Sequence, residues 1–209
     1  MNRVAATLSE SSEHGAAAPQ KSAPAEPQSY FRRYVLFFTL AIVGCAADLL
    51  TKHWVFQWRG MPRPGNEWWL IEGHVGIETA LNPGALFGMG RGYGFVFAAL
   101  SIAAAVGVLA WLHFGRAVRD LALTIALGCV LGGIFGNLYD RLGLWHPPGQ
   151  PDVWRNEVRD WILFRWGQYT WPNFNIADSL LVCGAALLFW HSFRHPEETD
   201  ADKTKSKDA

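Results

Sequence analysis

Four stretches of this chain are apolar for about the twenty residues that a helix needs to cross the hydrocarbon of a bilayer. They are Tyr34–Leu50, Gly94–Phe114, Ala117–Leu138 and Asn175–Phe193. Lipid offers no hydrogen bonds, so a spanning segment must satisfy its backbone internally, and an open sheet edge cannot sit there. The expected fold is an all-α membrane protein with four transmembrane helices.

Both ends are polar. Residues 1–29 are rich in Ala, Ser, Pro, Glu and Gln with no apolar period, and residues 194–209 mix Lys, Asp, Glu and Thr. Neither tail buries enough apolar surface to offset ordering entropy, so both are expected to be disordered. Residues 30–193 then form one membrane domain. The formal net charge is zero, which gives no case for a nucleic-acid partner. Arg32 and Arg33 precede the first span, Arg116 and Arg119 fill the turn between spans two and three, and Arg194 follows span four. By the positive-inside rule both termini are cytoplasmic.

Nine tryptophans (Trp54, Trp58, Trp68, Trp69, Trp145, Trp154, Trp161, Trp166 and Trp171) fall in or beside the two loops on the other side. An aromatic belt at the interface accounts for them. Their excess on one face also suggests loops that lie on the bilayer and hold a lipidic substrate. In the loop between spans one and two, Glu67–Ile71 and Val75–Leu81 are short, turn-flanked and partly β-branched, which predicts a small β-rich extracytoplasmic unit. Between spans three and four, Pro147, Pro148, Gly149 and Pro151 impose irregular chain, and residues near Asn156–Trp166 read as a short interfacial helix. Span three carries Gly128, Gly132 and Gly136 at every fourth position beside Gly133, a face that admits close helix packing. Cys45, Cys129 and Cys183 lie in apolar stretches and read as small hydrophobes without a disulfide.

This topology brings five polar clusters to one membrane face. They are Asp48 with Lys52, Asn82 with Gly84, Asn137 with Asp140 and Arg141, Asp160 in a loop, and Asn175 with Asp178. Ionisable groups at a membrane edge are costly and usually functional. Each cluster has a plainer reading. Asp48 and Lys52, spaced i, i+4, form a salt bridge on one helix face as readily as a substrate contact. Asn82-Pro83-Gly84 is equally a turn. Asp140 is the natural counter-ion of Arg141 in a scaffold. Asn175 either orients Asp178 or caps the helix end, and Asp178 alone could be a capping carboxylate.

Taken together, the clusters resemble the signature of the lipoprotein signal peptidase (signal peptidase II) family. The matching segments are Asp48-Leu49-Leu50-Thr51-Lys52, Asn82-Pro83-Gly84-Ala85-Leu86-Phe87-Gly88, Gly132-Gly133-Ile134-Phe135-Gly136-Asn137-Leu138-Tyr139-Asp140-Arg141, Val158-Arg159-Asp160-Trp161 and Phe174-Asn175-Ile176-Ala177-Asp178-Ser179. The chain departs from the family at Pro83, where a small residue is usual, at Leu86, often Ala, and in an insertion over residues 143–156.

The resemblance implies an aspartyl endopeptidase of the bacterial inner membrane. Such an enzyme removes signal peptides from diacylglyceryl-modified prolipoproteins by cleaving before the lipidated cysteine, close to the extracytoplasmic face. It implies Asp160 and Asp178 as the catalytic pair. Asn82, Gly84, Asn137, Arg141, Asn175 and Ala177 would bind substrate or support the pair, and Asp48, Lys52 and Asp140 would be structural. Prolipoproteins and membrane lipids are the implied partners, of a monomer that needs no cofactor or metal. Two carboxylates around one water supply the acid and the base that peptide hydrolysis requires. Two other readings compete. One is a small transporter or channel subunit that uses intramembrane charges. The other is a lipoprotein in its own right, because Ile42-Val43-Gly44-Cys45 after Arg32-Arg33 mimics a lipoprotein signal peptide.

Overall fold

The computed structural model describes residues 27–84 and 92–194. The expectation for residues 1–26 and 195–209, and the matching residues Ala85, Leu86, Phe87 and Gly88, lie outside them.

Four long helices carry the fold. These are α1 (Pro27–Arg59), α2 (Gly94–His113), α3 (Leu121–Arg141) and α4 (Ile176–Arg194). All four are long and apolar enough to cross a membrane. With 33 residues, α1 is about 50 Å long at 1.5 Å per residue. That exceeds the hydrocarbon thickness, so its last turns project past Lys52 and carry Phe56. Leu121, not Ala117, opens α3. Residues Ala117–Arg119 make a 3-10 turn, and the Asp120 side chain caps the helix by accepting the Leu123 N–H at 2.9 Å, a favoured N-cap arrangement.

The central helix is α3, with 56% of its apolar window buried against 11–22% for the other three. It packs on α1, α2 and α4. Its glycines set those distances. Gly128 and Gly132 lie against the backbone of Phe37 and Ala41 in α1, while Gly133 lies against Ala177 and Leu181 in α4. Phe37, Ala41, Ala105, Leu112, Leu127, Leu131 and Ile134 fill the core between the helices.

A four-stranded antiparallel sheet, in the order β1-β2-β3-β4, stands beside the bundle. Strands β1 (Trp68–Ile71) and β2 (Val75–Asn82) follow α1, and β3 (Val158–Trp166) and β4 (Tyr169–Phe174) follow α3. The interfacial helix expected near Asn156–Trp166 is therefore wrong. After a 3-10 turn at Asp152–Trp154, the segment runs as β3. Val158, Trp161, Ile162, Phe164 and Trp166 favour an extended chain, and β2 offers an open edge. The two strands pair Ala80 with Asp160 and Asn82 with Val158. Pro172 is tolerated in β4 because that strand is at the sheet edge.

Gly136 lies where α1, α3 and α4 meet. A Cβ there would fall 2.5 Å from Asp48 Oδ2 and 3.1 Å from Ala177 Cβ. We expect Gly136→Ala to cost about 1–3 kcal/mol through overpacking. Gly107→Ala, with nothing within 4 Å, should be neutral or slightly stabilising. Thermal unfolding of the two variants in detergent checks this, and equal midpoints would contradict it.

Candidate active site

Asp48, two-thirds of the way along α1, is buried in an apolar bundle, so it must be paired. Its partner is Lys52 one turn on, with Nζ 2.7 Å from Oδ2. The other carboxylate oxygen accepts the Ala177 N–H of α4 at 2.9 Å. The same ammonium lies 3.2 Å from Asp140 Oδ2 and donates to Asn137 Oδ1 at 3.0 Å. One lysine thus joins both ends of the polar cluster.

Asp140 does not pair with Arg141 as the sequence suggested. Its counter-ions are Lys52 and Arg159. Arg159 reaches Asp140 Oδ1 through Nη2 at 2.7 Å and Nε at 3.1 Å, and its backbone N–H donates to Oδ2 at 3.0 Å. Arg141 turns the other way and gathers backbone carbonyls. It donates to Asn82 at 3.0 Å, to Asn156 at 3.1 Å and to Gly84. That ties the end of β2 and the start of β3 to the end of α3. Asn82-Pro83-Gly84 is a turn as well, since the Gly84 N–H donates to Asn82 Oδ1 at 3.1 Å.

Asn175 joins the two aspartates. Its Oδ1 accepts the Asp178 N–H at 2.9 Å, while Asp178 Oδ2 accepts the Asn175 N–H at 3.2 Å. This reciprocal pair is a capping box at the start of α4. The Asn175 amide nitrogen then donates to Asp160 Oδ1 at 2.7 Å. Asp178 Oδ1, on its other side, accepts from Asn137 Nδ2 at 2.8 Å. Capping and orienting are therefore not alternatives here, because different atoms of Asn175 do each.

The two carboxyls differ in setting. Asp160 is only 2% exposed, whereas Asp178 is half-buried. Burial pushes the Asp160 carboxyl up to about 8, and the Asp178 charge adds to the shift. Lys52, Asn175 and Asn82 pull it back only in part. A carboxyl in this range keeps a proton at neutral pH, as a general acid must.

Asp178 borders a cleft of about 860 Å³, together with Asn82, Gly84, Asn137 and Arg141. Phe97, Leu100, Ala104, Ile134, Leu181 and Val182 make the cleft apolar along α2, α3 and α4. The candidate site residues Asp48, Lys52, Asn82, Gly84, Asn137, Asp140, Arg141, Asp160, Asn175, Ala177 and Asp178 are thus in or beside one cluster. Arg159 was missed, although it is buried and neighbours Asp160. A strand sends consecutive side chains to opposite faces, so Arg159 points away from Asp160, and a cation buried there needs an acid of its own.

Fold and site together define a multi-span membrane protein in which an acidic cluster opens onto an apolar cleft between helices. A profile of the signal peptidase (SPase) II family matches residues 40–194. The chain belongs to that family and is a membrane protease. It is 59% identical over 162 residues to the lipoprotein signal peptidase of Rhodopirellula baltica, covering 77% of this chain and 73% of that one. With the lipoprotein signal peptidase of Rhodococcus jostii it shares 38% identity over 170 residues, 81% of this chain and 78% of that protein. A solved bacterial membrane enzyme has the same fold at 21% identity, with a TM-score of 0.64 over 79% of this chain and 92% of that one.

Replacing Asp140 by Asn would leave two buried cations short of a shared carboxylate. We expect a loss of about 3–5 kcal/mol, seen as lower folded yield and a lower unfolding midpoint. Asp152→Asn, at an exposed ion pair, should change neither. A stable, well-expressed Asp140→Asn protein would contradict the structural assignment.

Proposed function

We propose that this protease is of the aspartic type and that Asp160 and Asp178 are its catalytic pair. The observation that carries the reading is Asn175, whose side-chain amide donates to the Asp160 carboxyl and whose backbone N–H donates to the Asp178 carboxyl, where Asp178 borders the polar end of an apolar cleft. Membership of the signal peptidase II family makes the substrate a prolipoprotein and the reaction removal of its signal peptide. The family lends nothing to the transporter alternative. The lipoprotein reading draws no support from Cys45, which lies half-buried inside an unbroken α1.

The pair rests with one shared proton, since two carboxylates held by one asparagine, one of them buried, do not both ionise readily. Burial favours Asp160 as its holder. Asp178 sits in the first turn of α4, where the helix end favours an anion. It removes a proton from water, and the water oxygen attacks the scissile carbonyl carbon. Asp160 gives its proton to the carbonyl oxygen, forming a neutral gem-diol. Asp178 then protonates the leaving nitrogen as the C–N bond breaks, Asp160 takes back a proton from a hydroxyl, and the one-proton pair returns.

Phe97, Leu100, Ala104, Leu181 and Val182 offer an apolar wall for the signal helix or the diacylglyceryl chains. Arg141, Asn82 and Gly84 mark the polar end, where the cleavage site would lie. The site faces the extracytoplasmic side of the bacterial inner membrane, with both termini in the cytoplasm and cleavage before the lipidated cysteine. The positive-inside pattern of the arginines supports that orientation. The sheet, with Trp68, Trp166 and Trp171 exposed, would lie on the same surface. Tryptophan prefers that interface. The working unit in this reading is a monomer.

Asp160→Asn and Asp178→Asn should each lower cleavage of a lipidated precursor by about 10³-fold or more, because acid and base act as a unit. Either folded variant working at the parental rate sinks the pairing. A second test is the pH profile. The shared proton is present below about 8 and lost above it, so kcat/KM should fall on the basic side with a midpoint there. A profile flat to pH 10 would contradict a proton-sharing pair.

A further inference from the structure

Residues 143–156, the insertion between Arg141 and Asp160, have no role in the reaction described so far. They do not line the cleft. Their contacts point instead at Arg159. The Trp145 ring lies 5.1 Å from the Arg159 guanidinium carbon, and Phe56, at the projecting end of α1, lies 5.9 Å from it. The two rings meet edge to face at 6.2 Å. Trp145 is anchored in turn, because its indole N–H donates to the Glu157 carbonyl at 3.1 Å.

The insertion is also fastened to α3. Asn156 Nδ2 donates to the Arg141 carbonyl at 2.7 Å, and Arg141 returns a bond to the Asn156 carbonyl. Gly143 packs on Arg155 with a positive φ of 72°, a conformation that suits glycine.

Arg159 sits at the far end of a buried ion chain. Asp48, Lys52, Asp140 and Arg159 are all nearly solvent-free. Two carboxylates and two cations cancel, so the chain adds no net charge beside Asp160 and Asp178. The Arg159 carbonyl also faces Asn175 Nδ2 at 3.4 Å, the amide that holds Asp160. Side chain, N–H and C=O of Arg159 are thus all engaged, one residue before the catalytic carboxyl.

We infer that Arg159 is a positioning residue for Asp160, and that the 143–156 insertion, through Trp145, holds it against Asp140. The inference rests on the reading of Asp160 as catalytic. A guanidinium packed against a pair of touching aromatic rings loses water on the side they cover and gains a cation–π attraction. It then offers Asp140 a rigid fork in one orientation. Because successive residues of a strand face opposite sides, fixing Arg159 against Asp140 fixes Asp160 toward Asn175 and Asp178.

The test uses the full chain in lipid nanodiscs, cleaving a synthetic prolipoprotein fragment with a diacylglyceryl cysteine. Arg159→Met should lower kcat by about 10- to 100-fold, the cost of a displacement on the order of an ångström, with KM nearly unchanged. Arg159→Lys, which keeps the charge but not the fork, should recover part of the loss. Trp145→Ala should lower kcat in the parent but add little in the Arg159→Met background, since both act along one path.

A Trp145→Ala enzyme with parental kcat overturns the inference, as does an additive double variant. A raised KM at unchanged kcat also overturns it, because it would make the insertion a substrate contact. Should Arg159→Met fail to fold, Trp145→Ala and Arg159→Lys decide by the same kcat criterion. Asp160→Asn separates the two levels. If it is active, the catalytic reading falls and this inference with it. If it is inactive while Trp145→Ala runs at the parental rate, only the inference falls.

Discussion

The Lys52 ammonium is the contact on which the site depends. It is fully buried and bonded to Asp48 in its own helix and to Asp140 and Asn137 in α3. A lone charge in such surroundings would not stay ionised, so the lysine and its acids must arrive together. Their meeting fixes the rotation of α1 against α3. Asp48 extends the same constraint to α4 through the Ala177 N–H. Three helices are therefore aligned by one ion cluster at the depth where Asn137 and Asn175 reach the two aspartates.

Such an approach is possible only because α3 is nearly bare on the faces that meet α1 and α4. Gly132 and Gly136 let the α1 backbone and Asp48 come within contact of the α3 backbone. Without a hydrophobic drive between helices in lipid, close packing and buried polar bonds supply the association. The glycine face and the ion cluster are thus one device, since each needs the short interhelical distance that the other maintains.

Much of this was legible in the sequence, for physical reasons. Twenty-residue apolar stretches have few other fates, and Glu67–Ile71 and Val75–Leu81 carried a strand signal that β1 and β2 match within a residue or two. The i, i+4 spacing of Asp48 and Lys52 and the one-turn spacing of Asn175 and Asp178 are local, so their bonds could be anticipated. Long-range pairing could not. Asp140 and Arg141 are neighbours in the chain, but consecutive helix residues face different directions, and the acid meets Arg159 instead. The β3 segment was misread because short apolar runs are ambiguous between helix and strand. What decided it was the free edge of β2, some 80 residues away in the chain.

Asn175 makes the order of the site inseparable from the order of a helix end. Its oxygen closes the first turn of α4, and its nitrogen holds Asp160 on a strand of the sheet. Fraying of that turn would release the amide and, with it, the carboxyl across the gap. The geometry of the proposed pair is in that sense a readout of helix integrity: until the fourth helix has formed and docked, the two acids have no common reference point.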